Sequence, residues 1–125
     1  MLLRLAIAAG ALLVLGGAYL LWRRPPRLRT LDLATIGAAG PAIVEFTAPR
    51  CAPCRAAIPH LEEASRSSGV PFVKVDLGER PELASVYGIR TVPTIAVVTR
   101  SGRVLGTWTR LPANGEVADT ARAAR

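Results

Sequence analysis

Along the first thirty residues the apolar positions follow no period and simply run on. From Leu5 to Trp22 the chain reads LAIAAGALLVLGGAYLLW without a charge, then breaks into RRPPRLR. As a helix rising 1.5 Å per residue, that run spans about 27 Å, close to the hydrocarbon thickness of a bilayer. From residue 30 onward the pattern changes to short β-branched runs alternating with stretches of helix-forming residues. PAIVEFTA (41–48) suits a buried strand, Cys51 to about Ser67 a helix closed by Gly69, and VPFVKVDL (70–77) a second strand. PELASVYG (81–88) predicts a short helix with proline at its start and glycine after its end. TIAVVT (94–99) and RVLGTWT (103–109), joined through Ser101-Gly102, predict an antiparallel hairpin, and GEVADTARAAR (115–125) a closing helix. The alternation predicts an α/β domain over residues 30–125, preceded by a segment of different character over residues 1–29.

Two readings fit the N-terminal segment. A signal peptide could be cut after the small residues Gly16 and Ala18. Tyr19-Leu20-Leu21-Trp22, however, carries the apolar run past that point and ends it in an interfacial aromatic and two arginines, as an uncleaved anchor does. We read residues 5–22 as a single span, with Pro25-Pro26 stopping the helix and holding the domain close to the membrane. Arg4 and the α-amine precede the span, while Arg23, Arg24, Arg27 and Arg29 follow it. The positive-inside bias therefore places the domain on the cytoplasmic face, with the extracytoplasmic face as the alternative.

The flank also explains the formal charge of +7. Its five arginines supply most of it, and residues 30–125 hold eleven basic and nine acidic side chains, a difference of +2. No basic stripe interleaved with aromatics is present, which argues against nucleic acid as a partner. The cysteines change the picture more. There are two, Cys51 and Cys54, and a bond between them would close too small a loop to constrain the unfolded chain much. Zinc would need ligands beyond these two and His60, from a carboxylate or a second molecule. A pair that works by oxidation and reduction needs nothing further.

Four features, in order, resemble the thioredoxin family over roughly residues 30–125. IVEFTA leads into Cys51-Ala52-Pro53-Cys54-Arg55, similar to the family's strand and Cys-Gly-Pro-Cys-Lys site. Pro59 falls where the family's helix carries a kinking proline, KVD (74–76) resembles its lysine-bearing strand, and YGIRTVPT (87–94) its Tyr-Gly-Ile-Arg-Gly-Ile-Pro-Thr segment. The resemblance implies a thioredoxin-like fold, a central mixed sheet flanked by helices, and a protein-disulfide oxidoreductase. Its redox centre is the Cys51–Cys54 pair, with no separate cofactor. Protein thiols or disulfides are the substrates, a thiol reductant or thioredoxin-reductase-like protein is the electron donor, and a monomer is the expected state. A helix starting at Cys51 would favour its thiolate through free backbone N–H groups and the helix dipole, with Arg50 and Arg55 adding to this, so Cys51 is the nucleophile. Cys54, one turn in, resolves the mixed disulfide.

Glu45 stands where the family has a buried aspartate. It is either a proton relay for Cys54, partnered by Lys74, or simply paired with Lys74 or turned to solvent. The resemblance also implies a cis bond at Pro93, packed against the sulfurs. That leaves Val92, with Thr91 beside it, to pair with an extended substrate over a surface shared with Arg50 and Pro53. His60 is expected on the helix surface. The departures are Arg50 and Thr47 in place of tryptophans, Ala52 in place of glycine, and TRLP (109–112) where a glycine flanks the groove. They make the substrate face more positive and less apolar than the family norm. Three functions follow: a membrane-tethered reductase, an extracytoplasmic thiol relay serving apocytochromes or other exported proteins, and a non-catalytic binding module. Intact Cys51, Cys54 and Pro93 argue against the last.

Overall fold

A computed structural model of the chain describes residues 1–23, 28–113 and 115–125. Helix α1 (Leu2–Trp22) takes in the whole charge-free run and begins three residues earlier, enclosing Arg4, and none of its residues is buried. The remaining elements are α2 (Leu33–Ile36), β1 (Ala42–Thr47), α3 (Ala52–Ser68), β2 (Phe72–Asp76), α4 (Glu82–Tyr87), β3 (Thr94–Val98), β4 (Val104–Trp108) and α5 (Glu116–Ala123). Each strand and helix expected from the pattern appears within a residue or two. The addition is α2, a single turn capped by the Asp32 side chain accepting from the Thr35 N–H at 3.1 Å. So short a turn offers no periodicity to read.

The four strands lie in the order β2-β1-β3-β4. β1 runs parallel to β2 and antiparallel to β3, and β3 and β4 form the hairpin, with a register shift at Val97/Val98. Alternation along β1 assigns its side chains to two layers. Ile43, with Ile95 and Val97 from β3, packs against α3 and α5 through Ala57, Leu61, Ala64, Val117 and Ala121. Ala42, Val44 and Phe46, with Ala96 and Val98, pack on the other face against Leu31, Ile36 and Leu83. Because β1 and β3 are buried on both faces, they read as near-continuous apolar runs rather than as alternation, with Glu45 as the one charged interruption. Helix α3 buries Cys54, Ala57, Leu61, Ala64 and Ser68, a three-and-four spacing that forms one stripe along the helix.

The domain also takes in the residues just before its expected start. Arg29 C=O accepts from the Val104 N–H at 2.9 Å, the Leu31 N–H donates to Gly102 C=O at 2.8 Å, and Thr30 bridges Arg103. Leu28 is half-buried against the second layer. Residues 28–31 thus form a strap along the start of β4.

Candidate active site

β1 and β3 are antiparallel, with Phe46 opposite Thr94. The segment leaving β1 and the segment entering β3 therefore meet at one end of the sheet. The first carries Cys51 and the second Pro93, whose peptide bond with Val92 is cis. Cys51 is the N-cap of α3: its backbone is extended, and its Sγ accepts from the Cys54 N–H at 3.2 Å. Pro53 occupies the first turn of α3, where its missing N–H leaves no helical hydrogen bond unmade. Cys51 and Cys54 form a disulfide with Cα atoms 5.3 Å apart. The two sulfurs are not equivalent, since Cys51 is partly exposed and Cys54 is 1% exposed.

The approach to Cys51 is tightly built. Arg50 has a φ of 61°, uncommon for a residue with a side chain, and turns the chain sharply into the helix. Beneath it, Gly78 lies so close to Pro49 that a Cβ there would sit 2.5 Å from the proline Cδ. The loop after β2 is in this way wedged under the loop before Cys51. A glycine just past a strand is the one local cue to that contact.

Glu45 shares the sheet face of Ile43, the face covered by α3. It is fully buried, and neither carboxyl oxygen has a hydrogen-bond partner. Burial pushes its pKa from the ordinary 4.5 up to about 7, opposed by the charge of Lys74. Lys74 is its register neighbour on β2 but is exposed, and no ion pair joins the two. This corrects the expectation of a direct Glu45–Lys74 partnership: the lysine lies at the sheet edge and keeps its hydration, acting on Glu45 only through space. Glu45 does not turn to solvent either.

Pro93 is buried, and Val92 before it is partly exposed. Thr91 is exposed, and its carbonyl accepts from Thr94 Oγ1 at 2.7 Å. Val92, by contrast, makes no backbone hydrogen bond among the described residues. His60 lies exposed on α3, one residue past Pro59 inside that helix.

A disulfide at a helix N-terminus, and a buried carboxyl group on the sheet face which that helix covers, in a mixed sheet with helices on both faces, define a dithiol–disulfide protein of α/β architecture. Comparison with known proteins narrows this, because a family model described as Thioredoxin matches residues 32–114. The chain belongs to the thioredoxin family. It is 42% identical over 66 residues to Thioredoxin 1 of Synechococcus elongatus, over 51% of this chain and 62% of that protein. With a thioredoxin of Rhodospirillum rubrum it shares 39% identity over 72 residues, covering 56% and 68%. The match thus spans about six tenths of the cyanobacterial relative. Among solved structures, a mutant thioredoxin from Halobacterium salinarum aligns with a TM-score of 0.61 at 26% identity, covering 72% of this chain and 78% of that one. Oxidised thioredoxin from Plasmodium falciparum aligns at 0.59 and 27%, covering 74% and 88%.

Proposed function

We propose that this protein is a membrane-tethered thiol–disulfide oxidoreductase acting as a protein-disulfide reductase. The observation that carries the proposal is the asymmetry of the pair: Cys51 is partly exposed at the N-terminus of α3, and Cys54 is buried one turn in. When the pair is reduced, the Cys51 thiolate is stabilised by the first-turn N–H groups, the helix dipole and the flanking Arg50 and Arg55. It attacks one sulfur of a substrate disulfide, forming a mixed disulfide and releasing the first substrate thiolate, which takes up a proton. The ionised Glu45 removes the proton of Cys54, whose thiolate then attacks Cys51 Sγ and expels the second substrate sulfur as a thiolate, to which Glu45 returns the proton. Two electrons pass to the substrate, with one proton from solvent and one from Cys54 by way of Glu45, and the Cys51–Cys54 disulfide remains until a dithiol donor reduces it. The backbone of Val92 would hold the substrate as an added strand during the exchange.

Residues 5–22 serve as the tether in this proposal. Helix α1 has 21 residues, an 18-residue stretch of mean hydropathy 2.1 and no buried residue, so a bilayer is the environment that removes its side chains from water. The test uses full-length protein in detergent micelles with dithiothreitol as reductant. Wild type reduces insulin disulfides, Cys51→Ser loses turnover, and Cys54→Ser accumulates a reducible covalent adduct because the mixed disulfide has lost its intramolecular resolver. Turnover surviving in Cys51→Ser would overturn the assignment.

A further inference from the structure

The end of the sheet that carries the disulfide has a one-sided distribution of charge. β1, β2 and β4 run toward that end and β3 runs away from it, so four loops meet there. Three of them are neighbours: 48–51 after β1, 90–93 before β3 and 109–113 after β4. Each carries one exposed arginine, Arg50, Arg90 and Arg110 respectively, and none contains an acid. No ion pair or side-chain hydrogen bond among the described residues engages any of the three. The fourth loop, after β2, is the opposite case. It holds Glu79, with Asp76 at the end of β2 and Glu82 at the start of α4 on either side, against Arg80, which reaches Glu82 at 3.8 Å and donates to the Thr35 carbonyl. The disulfide therefore lies between an acidic edge and a row of three unpaired cations. Beside the basic loops runs a groove with Ile89 and Leu105 in its lining together with Arg90, Thr91, Thr107 and Thr109, so it reaches Thr91, the residue before Val92.

We propose that this surface selects polypeptide substrates bearing acidic residues next to the reacting cysteine, which rests on the thiol–disulfide exchange proposed above. Three like charges with no acid in their own loops raise a positive potential over the loops a substrate must cross. Carboxylates flanking the substrate's cysteine supply the missing partners at the rim, where exposed charges act mainly on encounter and choice of partner. The acidic loop after β2 repels the same carboxylates, so it favours docking over the β3 and β4 side of the disulfide. Arg50 serves two ends: it biases Cys51 toward the thiolate for every substrate and also contributes to selection. Arg90 and Arg110 lie on separate loops and contribute to selection.

The experiment compares three disulfide peptides of one length, with glutamate, glutamine or lysine flanking the cysteine, reduced by full-length protein in neutral detergent micelles. At low salt kcat/KM falls in the order glutamate, glutamine, lysine, with about tenfold between the ends. The order flattens near 1 M salt, where the screening length falls to about 3 Å. Arg90→Glu/Arg110→Glu reverses the glutamate-to-lysine ratio, and adding Arg50→Glu reverses it further. The ratio is the readout because a change in thiolate stability scales all three peptides together. Equal rates for the three peptides, or a ratio unmoved by the charge reversals, would overturn the inference while leaving the exchange chemistry standing. Failure to reduce any of them would overturn the exchange chemistry instead.

Discussion

Glu45 is the one acidic residue buried among the described residues, and its two oxygens go without a hydrogen bond. A carboxyl group in that position favours its neutral form, which has a consequence for stability. Between pH 4.5 and about 7 the folded protein holds the Glu45 proton while the unfolded chain has lost it. The native state binds more protons in that window, so stability falls as pH rises through it and levels off above. The shift corresponds to about 3 kcal/mol at the upper plateau. Glu45→Gln keeps the shape but removes the ionisation. Denaturant titrations at pH 5 and pH 8 are expected to show wild type losing stability between them by an amount of that order, and the variant losing much less. Slower release of the mixed disulfide in the same variant would tie the group to Cys54. A pH-independent wild type would show that Glu45 is solvated.

At the scale of elements, the strap of residues 28–31 ties the chain that follows α1 to the start of β4. Its geometry depends on Gly102. That residue has a φ of 84°, and a Cβ on it would lie 2.4 Å from the Leu31 carbonyl oxygen. Gly102→Ala incurs left-handed backbone strain and pushes apart the Leu31–Gly102 hydrogen bond, for an expected loss of about 3 kcal/mol. Gly40→Ala is the control, because a Cβ there meets nothing closer than 3.7 Å and the backbone is not left-handed. Its expected effect is within about 0.5 kcal/mol. Urea denaturation checks both. Hydrogen exchange locates the damage: the Leu31 and Val104 amides should exchange faster in Gly102→Ala, while the β1 amides change only with global stability.

For the whole molecule, the decisive quantity is the charge on either side of the span. Arg4 and the amino terminus stand on one side, and four arginines within seven residues stand on the other. The energetics of insertion favour retaining the more basic flank, so the domain is expected in the cytoplasm. There the thiol pool would keep Cys51 and Cys54 reduced and poised to act on disulfides near the membrane. Protease added to intact spheroplasts should leave the domain whole until the cells are lysed. Degradation without lysis would place it on the outer face and make the extracytoplasmic relay the better account.

Local pattern was enough to determine the elements of this protein other than the single turn α2, because each depends on a signal carried within a few residues. Examples are the uncharged run of α1, the β-branched segments of β1 and β3, the spacing along α3 and the Ser101-Gly102 turn. The Cys51-Ala52-Pro53-Cys54 sequence and the Val92-Pro93 dipeptide were likewise legible, since their chemistry is written in adjacent residues. What joins distant positions was decided only by the tertiary structure. Packing of α3 over β1 made Glu45 a buried carboxyl without a partner, and the edge position of β2 left Lys74 in water. The pairing of residues 29–31 with 102–104, the wedge of Gly78 beneath Pro49 and the row formed by Arg50, Arg90 and Arg110 depend on which strands lie side by side. Strand order is settled by burial and hydrogen bonding summed over the whole sheet, which no single stretch of the chain contains.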